Sequence, residues 1–195
     1  MPAKVNDFVS SFKKELARPS RFDVFIPVPP LMSLFYKDFS RDLQFRCEVT
    51  EIPGRNFNVT QRKFGSAPIE KFPSHTEYSD MQMTFIVGGD MKEKLFFDHW
   101  MDLINPTYSY NFRYKTEYAV DMAVTQYDMN NNITYKAVMI NAFPVSVGQL
   151  DLDWTADNYH RLPVVFAYTK WELGTVNSNA VDLGIQSLAG ISSNF

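Results

Sequence analysis

The sequence predicts a mainly β protein, a β-sandwich or β-barrel with a helix packed on it. Several short segments alternate apolar and polar residues with the period of two that half-buried strands show. Only two segments have the three- and four-residue apolar spacing of an amphipathic helix. No fixed-period repeat and no series of heptads occurs along the chain.

The length and composition favour one domain with a large core. The chain has 195 residues, of which 45% are hydrophobic and 15% aromatic. This length does not call for two domains, and the composition is unlike that of a disordered chain. We expect residues 1–173 to form a single domain and residues 174–195, which are small and polar with spaced apolar positions, to form a C-terminal extension or arm.

The charge distribution argues against tight binding of nucleic acid. The net charge is −3. Residues 1–65 carry eleven Lys or Arg against seven Asp or Glu, whereas residues 66–195 carry eight against fifteen. A stable DNA or RNA binder needs a basic face that replaces the counterions of the phosphates, and the larger part of this chain is acidic.

The cysteine count and hydropathy indicate a chain made in the cytoplasm. A single cysteine, Cys47, excludes an intrachain disulfide and a multi-cysteine zinc site. There is neither a basic-then-apolar leader nor an apolar run of the ~20 residues that a membrane span requires. We therefore expect no signal peptide and no membrane anchor.

The N-terminal part predicts a helix, a strand and an apolar loop. The helix ends before Pro19, and its apolar stripe comprises Val5, Phe8, Val9, Phe12 and Leu16. A strand follows at residues 21–28. Residues 27–39 hold three prolines and read as an extended loop insertion. Its apolar residues Leu31, Met32, Leu34, Phe35 and Tyr36 are a candidate assembly interface, with packing onto their own domain as an equal alternative.

The middle of the chain predicts two strands and the main helix. In "LQFRCEVTEIPG" the alternation places Cys47 on the apolar face of a strand that ends at Pro53-Gly54. In "YSDMQMTFIVGGD" one strand face carries Met81, Met83, Phe85 and Val87. The helix follows in "DMKEKLFFDHWMDLI", where Asp90 is expected to cap the first turn while Glu93 reaches back. Its predicted buried face consists of Leu95, Phe96, Trp100, Leu103 and Ile104, with Trp100 a candidate core anchor.

The C-terminal part predicts a hairpin and two further strands. Residues 117–141 form two alternating strands around a turn at Asp128–Asn132. Residues 150–154 are expected to be a strand with Asp151 and Asp153 on a wet, acidic surface. The opposite face of that strand would bury Leu150, Leu152 and Trp154. A last strand spans residues 161–172, and Trp154 and Trp171 are candidate core anchors.

Catalytic and metal-binding motifs have little support in the sequence. The three histidines lie in separate segments without a second ligand at metal-binding spacing, and no phosphate loop, dinucleotide fingerprint or nucleophile elbow occurs. We predict no catalytic residue, no metal and no cofactor. One alternative stays open, a soluble β-barrel in which Asp151, Asp153 and Asp157 hold a metal or substrate. An exposed acidic strand edge is the commoner use of such residues.

An ordered set of motifs resembles the tail tube proteins of contractile-tailed bacteriophages. The motifs are "FxxxF..ARPxxFxVxIP", "FxCxxTxIPG", "FxxWMDLI", "VTQYD", "AFPVSVGQLDLDWTADN" and "VVFAYTKWEL", which cover most of residues 8–173. The stretch at 142–158 is the most specific of them. Similar tubes occur in type VI secretion systems and tailocins.

The resemblance implies a structural virion protein rather than an enzyme. It implies a β-sandwich subunit that forms hexameric rings, which stack into a hollow tube inside a contractile sheath and conduct DNA into the host. The implied partners are further copies of the chain, the sheath protein, baseplate and tail terminator proteins, the tape measure protein and DNA in transit. The implied location is the virion tail, with assembly in the host cytoplasm.

Two segments look like additions to a compact tube subunit, the loop 27–39 and the tail 174–195. In the tail, the candidate interface residues are Val181, Leu183, Ile185 and Leu188. These additions keep two alternatives open, a baseplate tube initiator of the same fold and the tube of a contractile injection or secretion system.

Overall fold

The structure of the protein, a computed structural model, describes residues 16–66, 68–155 and 157–174. The strands in this part of the chain are β1 Phe22–Phe25, β2 Cys47–Thr50, β3 Asn56–Arg62, β4 Glu70–Glu77, β5 Met81–Ile86, β6 Val120–Tyr127, β7 Ile133–Val147, β8 Arg161–Ala167 and β9 Lys170–Leu173. The helices are α1 Phe39–Arg46, α2 Lys92–Ile104 and α3 Lys115–Tyr118, with a 3-10 helix at Pro30–Met32.

A single long strand, β7, connects the two halves of the β structure. Its first part pairs with β6 and, on its other side, with β9, and β1 continues this sheet beyond β6. Its second part pairs with β8, beyond which come β5 and β2. All of these pairs are antiparallel, and the arrangement confirms the predicted mainly β, sandwich-like fold with a flanking helix.

The core lies between the sheets and helix α2. Met81, Met83 and Phe85 of β5 are buried, as the alternation predicts. From α2, Phe96, Phe97 and Trp100 enter the same core. The Trp100 ring lies 5.6 Å from Phe96 and 6.2 Å from Phe166 of β8, measured between ring centroids. Burying aromatic side chains of this size stabilises the fold by about 1.5–3 kcal/mol each.

Helix α2 begins differently from the prediction. Its N-cap is Met91, which has φ of 53°, and no side chain caps the first turn. Asp90 instead pairs with Lys92 and Arg46. The buried face is also shifted, because Phe97 is buried whereas Leu95 is largely exposed. The predicted cap at Asp90 and the predicted inward position of Leu95 are therefore wrong. Glu93 does reach back as predicted, since it accepts a hydrogen bond from the backbone N–H of Gly88.

The strand predicted at residues 43–50 is half helix. Helix α1 runs to Arg46 and buries Phe39 and Leu43, which are four residues apart and share one helical face. Phe45 is exposed under the guanidinium of Arg41, and only from Cys47 does the chain become a strand. The apolar residues at 43, 45, 47 and 49 have the spacing of a strand, whereas those at 39 and 43 have the spacing of a helix. The contact of α1 with β1 favours the helix in this segment.

The predicted hairpin at 117–141 is confirmed as β6 and β7. Asp128 accepts hydrogen bonds from the backbone N–H groups of Asn130 and Asn132, and Asn131 has a positive φ of 62°. The last predicted strand, in contrast, is broken into β8 and β9 at Tyr168 and Thr169. The break lets β8 pair with the second part of β7 while β9 returns to its first part.

Two predicted segments lie outside the described residues, the N-terminal helix up to residue 15 and the C-terminal extension beyond residue 174. The candidate interface residues Val181, Leu183, Ile185 and Leu188 fall in that extension. One whole element, the hairpin of β3 and β4, is not indicated by the sequence patterns. Its strands carry few alternating apolar residues because neither face packs on the core.

Candidate assembly surfaces

The hairpin of β3 and β4 projects from the domain and is exposed on both faces. It pairs in antiparallel register from Asn56 opposite Glu77 to Arg62 opposite Glu70. Every described residue between 54 and 77 is exposed. Large apolar side chains are nevertheless frequent, namely Phe57, Val59, Phe64, Ile69 and Phe72. We call residues 56–66 and 68–77 the hairpin surface; an isolated two-stranded hairpin of this kind needs further packing to be stable.

The base of the hairpin is held by aromatic and cationic contacts. The indole Nε1 of Trp171 donates to the carbonyl oxygen of Gly54 over 2.9 Å. The guanidinium carbon of Arg55 lies 5.1 Å from the centroid of the Trp171 ring and 5.7 Å from that of Tyr78. Such cation–π contacts contribute about 0.5–1 kcal/mol each at exposed sites. Trp171 is only half-buried, and it packs against the core from strand β9. It therefore connects the base of the hairpin to the sheet and is not itself part of the buried core.

The stretch after β7 is a loop, not the predicted strand. The chain leaves β7 after Val147, and Leu152 and Trp154 are 86% and 104% exposed. The predictions that both face inward, and that Trp154 is a core anchor, are wrong. Of the predicted inward residues only Leu150 packs partly on the core. We call residues 148–155 the acidic loop, because Asp151 and Asp153 are exposed as predicted, although not on a strand.

Local contacts shape the acidic loop at both ends. The N–H of Gly148 donates to the carbonyl of Pro163 over 2.8 Å, and a Cβ at position 148 would lie 2.4 Å from the Pro163 ring. Asp153 accepts from the backbone N–H and the hydroxyl of Thr155, which lowers the pKa of its carboxyl. The loop is therefore a defined turn whose Asp153 is ionised at neutral pH.

An ion pair connects the segment after the acidic loop to β2. Arg161 donates to both carboxylate oxygens of Glu48, at 2.7 and 3.2 Å, and Tyr159 donates to the same carboxylate. The hydrogen bond from Arg161 is the largest cause of the lowered pKa of Glu48. The bidentate geometry favours one orientation of the two side chains.

The apolar loop 27–39 is split between packing and exposure. Met32 is only 5% exposed and Tyr36 is half-buried, with its ring 5.0 Å from Phe96. The hydroxyl oxygen of Tyr36 lies 2.6 Å from Nδ1 of His99 on α2. Leu31, Leu34 and Phe35 remain exposed. Met32 and Tyr36 therefore follow the alternative of packing onto their own domain, whereas Leu31, Leu34 and Phe35 have the exposure that an interface requires.

The segment at residues 108–114 is a further exposed aromatic surface, which the sequence analysis above does not include among the candidate interfaces. After α2 the chain exposes Tyr108, Tyr110, Phe112 and Tyr114, which are separated by single polar residues. The alternation at 108–114 is the period of a strand, and it could have drawn attention to this segment. The structure gives it no strand partner among the described residues.

The residues considered for chemistry do not form a reactive site. Burial and the nearby Asp23 raise the pKa of the Cys47 thiol to about 12, which keeps it protonated at neutral pH. Asp151, Asp153 and Asp157 do not come together as metal ligands, since no group of three His, Cys, Asp or Glu suited to a metal occurs among the described residues. In the same part of the chain, no helix is long and apolar enough to cross a membrane.

The described subunit is a β-sandwich that leaves many large apolar side chains exposed outside its core, and exposed apolar surface of this kind is typical of interaction sites. The chain belongs to the phage tail tube protein family, whose model matches residues 17–174. Members of this family are tail tube proteins of phages. No curated protein matches the sequence.

Solved structures share the fold at low sequence identity. A chain of the anti-feeding prophage (AFP) baseplate is 14% identical, with a TM-score of 0.60, and the match covers 85% of this chain and 99% of that one. A chain of the PVC sheath-tube complex in the extended state is 13% identical, with a TM-score of 0.60 and coverage of 86% and 97%. A chain of the AFP tube terminating cap is 13% identical, with a TM-score of 0.59 and coverage of 83% and 93%.

Proposed function

We propose that this protein is the tube subunit of a contractile tail, forming hexameric rings that stack into a hollow conduit for DNA inside a sheath. Membership of the tail tube family supports the general role. The observation that carries self-assembly is the hairpin surface, whose apolar side chains are exposed and lie outside the core of the described subunit. Contact with a neighbouring subunit would remove them from water and stabilise the hairpin.

The proposed partners follow from the same role. Further copies of the chain form the tube, the sheath protein surrounds it, and baseplate and terminator proteins contact its two ends. The tape measure protein and then DNA would occupy the lumen. The acidic balance of residues 66–195 suits a conduit, because like charge keeps a polyanion from adhering to the wall.

Electron microscopy tests this proposal. The purified protein is concentrated over a range of salt concentrations and imaged in negative stain. We expect rings of six subunits and stacked tubes. A strict monomer at every protein and salt concentration would contradict the proposal.

A second candidate is the tube initiator of a baseplate. The observation behind it is the fold match to a chain of the AFP baseplate, whose TM-score of 0.60 equals that of the match to a chain of the PVC sheath-tube complex, so the fold fits both roles. Copy number in purified particles separates the two roles. A tube subunit is present in many copies per particle, whereas an initiator contributes one or a few rings.

A further inference from the structure

The hairpin of β3 and β4 forms a two-stranded sheet of its own. Neither strand pairs with any other strand of the described structure. The side-chain hydrogen bonds described for the hairpin also stay within it, since Asn58 binds His75 and Glu77, and Ser74 binds His75. The orientation of the hairpin relative to the rest of the subunit therefore depends on the segments at its base, residues 51–55 and 78–80, which are not strands.

Both segments at the base contact one short stretch of the large sheet. On the entering side, the carbonyl oxygen of Gly54 accepts a hydrogen bond from the indole Nε1 of Trp171 over 2.9 Å. On the leaving side, the ring of Tyr78 lies 6.2 Å from the ring of Tyr168, measured between centroids. Trp171 belongs to β9, and Tyr168 lies at the break between β8 and β9. The two sides of the hairpin thus meet the sheet within residues 168–171.

Arg55 joins the two sides of the base to each other. Its guanidinium carbon lies 5.1 Å from the centroid of the Trp171 ring and 5.7 Å from that of the Tyr78 ring. None of the ion pairs among the described residues includes Arg55. Its positive charge is therefore held by two aromatic rings, one on the sheet and one on the leaving segment, and a planar guanidinium suits such contacts.

Trp171 is a fixed point for these contacts. In the antiparallel pair of β9 and β7 it is opposite Met139, which is fully buried. The indole itself packs against the core. A side chain whose rotamer is fixed by packing holds its partners in a defined geometry. Trp171 can therefore orient Gly54 and Arg55, and through Arg55 also Tyr78.

We propose that Arg55, Tyr78 and Trp171 form a latch that fixes the orientation of the hairpin in the single subunit, before the hairpin meets any partner. Without these contacts, an exposed hairpin joined to the domain by two unpaired segments would take up many orientations. A partner would then have to order the hairpin, and the conformational entropy lost on binding would weaken association. The latch is independent of the proposed function, whereas its effect on assembly rests on that function.

The distance between two spin labels tests the latch. Cys47 is replaced by alanine, and labels are attached at Lys63→Cys, beyond the end of β3, and at Gln82→Cys on β5, two exposed positions. Pulsed electron resonance gives the distribution of distances in the full chain, at a protein concentration where sedimentation shows a monomer. We expect one narrow distribution when the latch is intact.

Two substitutions open the latch, and a third is the matched control. Arg55→Met removes the charge but keeps an unbranched side chain, and Trp171→Phe removes the Nε1 donor but keeps an aromatic ring. Arg41→Met is the control, because Arg41 lies 5.6 Å from the ring of Phe45 in a contact of the same kind on α1. Circular dichroism establishes that each variant is folded.

We expect Arg55→Met to raise the ratio of chains at other distances to chains at the native distance by roughly tenfold, since two exposed cation–π contacts are lost. Trp171→Phe should broaden the distribution as well, and Arg41→Met should leave it unchanged. Arg55→Lys keeps a cation beside the rings and should therefore have a smaller effect than Arg55→Met. If Trp171→Phe does not fold, Arg55→Met decides alone, because it changes an exposed side chain.

Three results would overturn the latch. The first is a broad distribution in the chain with an unmodified base, the second is a narrow distribution that Arg55→Met leaves narrow, and the third is equal broadening by the Arg41→Met control. Equal effects of Arg55→Lys and Arg55→Met would show that the charge does not hold the base together. Because every measurement uses the monomer, the latch and the proposed function fail separately: absence of rings would contradict only the proposed function.

Discussion

Trp100 and Trp154 are the same residue type in opposite environments. Trp100 is fully buried, and its indole Nε1 donates to the carbonyl of Tyr118 over 2.9 Å. Trp154 is 104% exposed in the described subunit. Sequence alternation could not separate them, because a Trp after alternating acids fits both an inward strand position and an exposed loop.

Replacing each of these tryptophans by alanine should distinguish the buried tryptophan from the exposed one. We expect Trp100→Ala to lower the free energy of unfolding by about 3–5 kcal/mol, since it leaves a large cavity and an unpaired carbonyl. Trp154→Ala should change it by less than about 0.5 kcal/mol, because no packing is lost. Urea unfolding of the dissociated subunit measures both values. Equal destabilisation by the two changes would contradict the assigned environments.

The close approach of Gly148 to Pro163 gives a second residue-scale prediction. A Cβ at position 148 would lie 2.4 Å from Cγ of a rigid ring, so Gly148→Ala must displace the backbone. We expect a loss of about 1–3 kcal/mol in the free energy of unfolding. Gly54→Ala is the matched control, since no atom lies within 4 Å of its Cβ position. A melting temperature unchanged by Gly148→Ala but lowered by Gly54→Ala would refute the steric argument.

Thiol reactivity tests the environment of Cys47. Its pKa is raised to about 12 in the folded protein. At pH 8.5 the thiolate fraction should therefore be on the order of a thousandfold lower than for a free cysteine. Because the pKa of the thiol is higher in the folded than in the unfolded chain, its contribution to the free energy of unfolding is fully present below the pKa of the unfolded chain. This contribution is lost as pH rises towards about 12. Alkylation rates in buffer and in concentrated urea measure the difference, and similar rates would contradict it.

At the scale of elements, helix α2 is joined to the sheet by one buried carboxylate. Glu93 has no exposed side-chain surface, pairs with Arg46 at the end of α1, and accepts from the backbone N–H of Gly88 over 2.9 Å. The interaction ties α1, the end of β5 and the first turn of α2 together. It replaces the side-chain cap that the sequence predicts at Asp90.

Removing the partner of this carboxylate should weaken the whole junction. We expect Arg46→Ala to lower the free energy of unfolding by about 2–4 kcal/mol, because a buried charge is left unpaired. Lys94→Ala removes an exposed pair with Asp98 on the same helix and should cost at most about 0.5 kcal/mol. Denaturant unfolding of both variants gives the comparison. Equal losses would show that the Glu93 pair is no stronger than a surface pair.

At the scale of the whole molecule, the last described residue, Gly174, is still bound to the sheet, because its N–H donates to the carbonyl of Lys136 over 2.9 Å. The spaced apolar residues of the C-terminal extension lie beyond this point, and we propose that they act in assembly. The two-sheet body then supplies the fold, and surfaces outside its core supply the contacts.

Deleting residues 175–195 should therefore weaken assembly before it weakens the fold. We expect the melting temperature of the subunit to change by no more than about 2–4 °C, since the β9 pairing with β7 is retained. Stacked rings in negative stain should become fewer and shorter. Failure of the truncated chain to fold would show that the extension belongs to the domain.

Sequence patterns were informative where one face of an element meets the core. The alternation in β5, the turn at Asp128–Asn132 and the position of α2 were predicted correctly, because burial on one face imposes a period and turns demand particular residues. The hairpin of β3 and β4 was missed because, exposed on both faces, it has no such period. Helix α1 was mistaken for a strand because its short apolar pattern fits both periods.

By itself the sequence determined the mainly β class, the central helix and, through an ordered set of motifs, the tail tube family. Only the tertiary structure decided that Leu152 and Trp154 face solvent, that Glu93 pairs with Arg46, and that Trp171 contacts the base of the hairpin. The reason is physical. Periodicity reports local burial, whereas these features depend on which distant segments the strand register brings together.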